Sequence, residues 1–239
     1  MGNYDGLGLR QNIDENPYDM SYVYKKDGFL HYDDGTYQSV TGIDVSVYQK
    51  KVNWKKVKAA GVDFVIIRLG YRGYDEDGDL ALDSKFKDHL KGAKEAGLDV
   101  GVYFFSQAKT TDEAIREARF VVRHIRGKGI TYPVVFDMEP IDGADRITDL
   151  NAEEKTQIAD AFCQVIDRNG YTPMIYGNPQ WLKKHVNLEY LTKYDTWLAH
   201  YADETDYPYA FKMWQYSHTG KVNGIKGRVD LNMYFIESQ

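Results

Sequence analysis

Apolar residues along this chain fall into short blocks of two kinds, and the two kinds alternate. Ile43 to Val47, Phe64 to Leu69, Val100 to Phe105, Tyr132 to Glu139 and Thr172 to Tyr176 are compact apolar runs, the pattern of strands buried on both faces. Between them the period lengthens to that of amphipathic helices. These span Trp54 to Ala60, Ser84 to Ala96, Asp112 to Arg126, and a stretch from Asn151 to about Arg168. Glycines at 61, 97, 127 and 170 close the four helices, and Asn151 with Glu154 forms a capping-box-like start to the last. After residue 176 the helices fade. Trp181 to His185 is one helix-like stretch, and Trp197 to Tyr201, Phe211 to Tyr216 and Val229 to Leu231 read as closing strands. Eight strands in alternation with helices predict an α/β fold, an irregular TIM-like (β/α) barrel with about five helices. Its last strands are poorly covered. An open doubly wound sheet is the alternative, and no Gly-rich phosphate loop supports it.

The first 40 residues differ. Residues 1–20 are polar and Asn/Asp-rich without a period. The runs Tyr22 to Tyr24, Phe29 to Tyr32 and Tyr37 to Val40 are separated by the turn pairs Asp27-Gly28 and Asp34-Gly35. This predicts a tail and a small β-meander over 1–40, too small to bury its own core, followed by a barrel domain over 41–239.

Composition narrows the function. A net charge of −6 lacks the basic face a nucleic-acid binder needs, and a mean hydropathy of −0.57 without a long apolar run leaves no membrane span. The 20 tyrosines suit a cleft in which rings stack on sugar faces. The single Cys163, on a helical stretch, is expected to be inert. Met1 to Asp5 has neither the basic start nor the apolar core of a leader, so an export signal trimmed from the N-terminus is the expectation.

The chemistry concentrates at Phe136-Asp137-Met138-Glu139-Pro140. Alternation on a strand puts Asp137 and Glu139 on one face. Two such carboxyls push their pKa values apart, leaving one protonated and one ionised, which is the equipment for cleaving a glycosidic bond. Asp44 lies in the first barrel strand and Asp230 in the last, and closure makes those strands neighbours. Tyr71, Tyr103, Tyr176, Trp197, Tyr201 and Trp214 fall in or just after strands. They are candidates for the cleft, with about half expected to serve the core instead.

Gly42-Ile43-Asp44-Val45-Ser46, Asp137-Met138-Glu139-Pro140, Trp197-Leu198-Ala199-His200-Tyr201, Trp214-Gln215-Tyr216-Ser217 and Val229-Asp230-Leu231-Asn232 together resemble the ordered motifs of family 25 glycoside hydrolases, the CH-type lysozymes. The resemblance covers about residues 41–236. It implies a β/α barrel that hydrolyses the β-1,4 bond between N-acetylmuramic acid and N-acetylglucosamine in bacterial cell-wall peptidoglycan. It further implies Glu139 as general acid/base and Asp137 as the stabilising group, with Asp44 and Asp230 completing an acidic floor and Gln215 beside the substrate. Gly101-Val102-Tyr103-Phe104-Phe105 also resembles a family strand, with Phe104 where His often stands. A monomer acting outside the cell or at the wall is the corresponding expectation.

Other chemistries find less support. Asp75-Glu76-Asp77-Gly78-Asp79 lacks the EF-hand glycine at its sixth position and has Phe86 at its twelfth, so it reads as an acidic turn. No metal or cofactor is called for, and no G-x-S-x-G nucleophile motif occurs. A chitinase-like N-acetylhexosaminidase is a competing reading, weakened because Val134-Val135-Phe136-Asp137 lacks the longer acidic run of chitinases. A catalytically silent glycan-binding barrel is another, weakened by retention of all four acids.

Overall fold

A computed structural model describes residues 12–144 and 146–238. The strands are β1 (Val23–Lys26), β2 (Phe29–Tyr32), β3 (Tyr37–Val45), β4 (Phe64–Arg72), β5 (Leu80–Leu82), β6 (Asp99–Phe105), β7 (Val134–Asp137), β8 (Pro173–Gly177), β9 (Asp195–Ala199), β10 (Met213–Gly220) and β11 (Val229–Glu237). Among the described residues five α-helices are interspersed: α1 (Trp54–Ala59), α2 (Phe86–Glu95), α3 (Thr111–Ile125), α4 (Ala152–Arg168) and α5 (Leu188–Leu191). Trp181–His185 forms a π-helical turn before α5.

The sheet runs β3-β11-β10-β9-β8-β7-β6-β4, and β3 pairs with β4, so eight strands close into a barrel. β5 pairs only with β4, antiparallel. The closure agrees with the strand count read from the sequence. A regular (β/α) barrel is parallel throughout, and this one departs from that at one barrel strand: β11 runs antiparallel to both β10 and β3. With no helix between β10 and β11, the chain turns straight back, which is the geometry a short connection permits.

Alternation divides the strand residues into two packed layers. Phe64, Ile66, Val135, Met174, Tyr176, Trp197 and Met213 fill the barrel. Val65, Ile67, Leu69, Phe104, Phe136 and Trp214 point outward into a second core shared with the helices. The lower barrel is plugged by Phe64, stacked on Tyr132 at 4.6 Å and edge-on to Tyr234 at 6.1 Å. Gly42 makes room for this plug, since a Cβ there would overlap the Phe64 ring.

The N-terminal segment contributes what the closing strands lack. β1 and β2 form the expected hairpin, but the third expected run, Tyr37 to Val40, is the beginning of β3, so the expected boundary at residue 40 falls inside a barrel strand. Ile13, Tyr18, Phe29, Leu30 and Tyr32 are buried in the outer core. Tyr18 stacks on Phe235 at 3.8 Å and meets Phe211 edge-on at 5.3 Å. The Leu30 N–H donates to the Tyr216 hydroxyl on β10. Residues 12–32 therefore cover the outer face of β10 and β11, where a regular barrel would place helices.

Candidate active site

Each catalytic candidate sits at the end of the barrel where the parallel strands finish. β7 ends at Asp137, and alternation carries Glu139, two residues on, to the same side, while Phe136 and Met138 pack outward. Phe136 meets Phe162 of α4 at 5.3 Å, which fixes the strand's rotation and hence the direction of the carboxyls. Asp44 and Asp230 are direct partners in the β3–β11 ladder. All four acids therefore converge on the mouth.

Asp44 is held by a fixed set of donors. Its Oδ2 accepts from Gln215 Nε2 and from Asn232 Nδ2, each at 2.8 Å. Gln215 Oε1 in turn accepts from the hydroxyls of Tyr176 at 2.8 Å and Tyr201 at 3.1 Å. Asn232 Oδ1 accepts from Trp197 Nε1 at 2.9 Å. These bonds orient both amides with their NH2 groups toward Asp44, leaving no freedom to flip.

Electrostatics separate the acids from ordinary surface carboxylates. Burial pushes Asp44 well above the usual aspartate range, and the nearby Asp230 charge adds to this, while the Asn232 and Gln215 bonds pull it back. Asp230 is raised to about 6, chiefly by burial. Asp137 is raised well above its usual value by burial and by the adjacent Glu139. Glu139 is also raised by burial, while its hydrogen bond to Asp137 opposes the shift. Two buried carboxyls that share a hydrogen bond hold one proton between them to a higher pH than an isolated carboxyl does. Among the described residues, Asp137 Oδ1 is buried without a hydrogen-bond partner.

The backbone beneath this pair is clamped. The Ser106 N–H donates to the Asp137 carbonyl at 2.7 Å, and Gln107 Nε2 donates to the Glu139 carbonyl at 2.8 Å. Arg146 Nε donates to the Gln107 carbonyl and its Nη1 donates to the carbonyls of both Asp75 and Glu76. The acidic turn at 75–79 is thus secured by an arginine. No cluster of acidic, His or Cys side chains suited to a metal occurs among the described residues.

The aromatic candidates divide. Tyr176 and Tyr201 reach the acid network through their hydroxyls, and Tyr201 is half exposed. Tyr103 is partly buried inside the barrel beside Trp197. Trp197 is buried beneath the mouth, edge-on to Tyr176 at 4.8 Å, so it supports the floor. Trp214 is a correction: it is fully buried outside the barrel, donating to the His200 carbonyl at 2.7 Å. Its neighbours Met213 and Gln215 face inward, and period-two alternation sends Trp214 the other way. Phe104, the departure from the family pattern, likewise points outward against Phe120 and Phe162 and leaves the mouth untouched.

Arg68 escaped the sequence reading. It stands two residues beyond Ile66 on the inward face of β4, donates through Nε to Asp83 at 2.7 Å, and lies 5.4 Å from the Tyr48 ring and 5.6 Å from Tyr71. Its charge reaches Asp137 and opposes the rise of that carboxyl's pKa. The spacing from Ile66 was a usable signal, as was that of Asn232, two residues beyond Asp230.

A closed barrel with mostly uncompensated carboxyls at its mouth, one pair sharing a hydrogen bond, is suited to hydrolysing glycosides, and the chain is a glycoside hydrolase. It belongs to glycosyl hydrolases family 25, whose model matches residues 43–225. It is 28% identical over 207 residues to lysozyme M1 of Streptomyces globisporus, covering 82% of this chain and 67% of that protein. The bacterial lysozyme of Streptomyces coelicolor superposes with a TM-score of 0.66 at 26% identity, covering 82% of this chain and 91% of that one. The modular autolysin LytC of Streptococcus pneumoniae superposes with a TM-score of 0.70 at 23% identity. That match covers 98% of this chain and 60% of the autolysin, so the likeness in fold extends into the N-terminal segment.

Proposed function

We propose that the chain is a peptidoglycan N-acetylmuramidase, with Glu139 as general acid/base and Asp137 as the group that orients and stabilises a substrate-assisted intermediate. The observation that carries this reading is the buried, unpartnered Oδ1 of Asp137 beside the Glu139 carboxyl that hydrogen-bonds to it. An orphaned buried acceptor is costly unless a ligand donor meets it. The N–H of a sugar's 2-acetamido group is such a donor.

The chemistry follows. Docking of the acetamido N–H on Oδ1 favours the ionised form of Asp137 and leaves the shared proton on Glu139. Glu139 then protonates the leaving glycosidic oxygen while the acetamido carbonyl oxygen attacks C1, so the C1–O bond breaks as an oxazolinium ring forms. Asp137 carries the charge opposite that ring. Water adds to C1, its proton returns to Glu139, and the ring opens with net retention. Adjacency on one strand suits this route, because direct attack by a side chain needs two carboxyls about 5–5.5 Å apart on opposite sides of the sugar.

The substrate class rests on the named relatives, which are lysozymes and an autolysin. No helix among the described residues is long and apolar enough to cross a membrane, and a monomer working at or outside the cell wall fits the reading. Digesting purified peptidoglycan and chitin, reducing the new ends with borohydride and identifying the reduced sugar tests it. Reduced muramic acid is expected. Reduced glucosamine derivatives alone would make the chain a different hexosaminidase.

A further inference from the structure

We propose that the outer face of α3 and the end of α4 form a docking surface for a wall-anchored phosphodiester polymer, separate from the catalytic mouth. Arg116, Arg119, Arg123 and Arg126 follow one another at spacings of three, four and three. At 3.6 residues per turn this keeps them within an arc of about 80° and draws a stripe about 15 Å long. The opposite face of α3, with Ala114, Ala118, Val121, Val122 and Ile125, is buried. Arg168, ending α4, joins the stripe across a groove of about 460 Å³ that Arg119, Arg123 and Arg126 also line.

All five arginines are exposed, and among the described residues none pairs with a carboxylate. The recorded partner is neutral: Arg168 donates to Gln164 at 2.8 Å. Half of the chain's ten arginines gather here in a protein of net charge −6. Cations near helix C-termini stabilise the dipole, which accounts for Arg123, Arg126 and Arg168 in part. Arg116 and Arg119 lie too far up the helix for that effect.

The residue type and the layout point to phosphate. Guanidinium forks match phosphate oxygens in pairs of hydrogen bonds, whereas an ammonium offers only a point charge. Every cation lining the groove is arginine, although the chain carries twenty lysines, the 30 basic residues less ten arginines. A row of charges about one helical turn apart suits a polymer that repeats its charge. α3 begins after β6 at the mouth end and runs toward the opposite end, so a polymer held by Arg119 to Arg126 leaves the catalytic carboxyls free. Such a surface supplies local adhesion to a polyanionic wall that an acidic protein otherwise lacks. The choice of a wall polymer rests on the muramidase reading.

The test is co-sedimentation of the full chain on ice, comparing wild type with the Arg119→Gln/Arg123→Gln/Arg126→Gln/Arg168→Gln variant. The particles are walls rich in polyol-phosphate polymer, the same walls stripped of it by hydrofluoric acid, and phosphatidylglycerol vesicles. Wild type is expected to bind intact walls at least about tenfold more tightly than stripped walls, and to lose on the order of tenfold between 50 and 200 mM salt. The variant is expected to bind both walls alike with a shallower salt dependence, while cleaving soluble glycan fragments at the wild-type rate. Equal binding of variant and wild type to intact walls, or of wild type to both walls, would overturn the proposal. Tighter binding to the vesicles would also overturn it, by assigning the stripe to lipid. The assay reads binding without catalysis. Chain that binds intact walls and leaves them uncut would therefore count against the muramidase reading and for this surface.

Discussion

Among the buried acids of the described residues, two groups are built in opposite ways. Between α3 and β4, Glu117 is fully buried, but Arg72 Nε donates to it at 2.7 Å and the Ser106 hydroxyl donates at 2.7 Å. Arg146 reaches the neighbouring Glu113 at 2.7 Å. There each charge has a cation in contact that opposes the effect of burial, although burial still holds Glu117 at about 7. At the mouth, Asp44, Asp137, Glu139 and Asp230 face mainly one another, amide groups and the single guanidinium of Arg68, which is itself bonded to Asp83. Ion-paired burial fixes a structure; acids packed together without pairing hold protons ready to move. The difference assigns stability to one group and chemistry to the other.

The sharpest way to break this comparison is to remove a mouth acid. Glu139→Gln keeps the shape but not the transferable proton. Turnover on peptidoglycan is expected to fall at least about a hundredfold with the melting temperature little changed. Near-normal turnover in the folded variant would remove Glu139 from its role. Arg72→Met should do the reverse: stripping Glu117 of its cation is expected to cost about 3–5 kcal/mol in urea unfolding, with turnover per folded molecule nearly preserved.

A smaller effect follows from pH. Asp230 at about 6 and Glu117 at about 7 lie above their unfolded values, and Asp44, Asp137 and Glu139 are raised as well. Between about pH 4 and 7 the folded chain therefore binds more protons than the unfolded one, and stability falls as pH rises through that window. The melting temperature is expected to be higher at pH 5 than at pH 8. Asp230→Asn should flatten that slope and gain on the order of 1–2 kcal/mol at pH 8 while losing activity, the exchange expected where a site is built at the expense of stability. An unchanged slope in Asp230→Asn would show that the mouth acids are not strained.

Much of this arrangement was legible in the residues. The eight strands announced themselves as apolar runs, and Asp137 with Glu139 shared a face by alternation alone. Other features need the tertiary structure. Strand direction leaves no mark in an alternating pattern, so the reversal of β11 was invisible. Trp214 and Gln215 are neighbours on one strand, so only one of them can face the mouth, and the sequence pattern alone does not say which. Tyr18 and Phe235, stacked at 3.8 Å, are 217 positions apart, the difference of their residue numbers. No local pattern links the N-terminal segment to the closing strands. Arg68 was hidden because it lies inside a run, Phe64 to Leu69, that reads as wholly apolar, although its place two residues beyond Ile66 puts it on the inward face reaching the mouth.

The central claim is that adjacent, proton-sharing carboxyls act with help from the substrate's own acetamido group. Proton NMR of the first-formed reducing end during peptidoglycan digestion tests it most directly, before mutarotation mixes the anomers. The β-anomer, net retention, is the expected first product, and Asp137→Asn should be severely impaired without trapping a covalent sugar adduct. An initial α-anomer would mean inversion and would contradict the account.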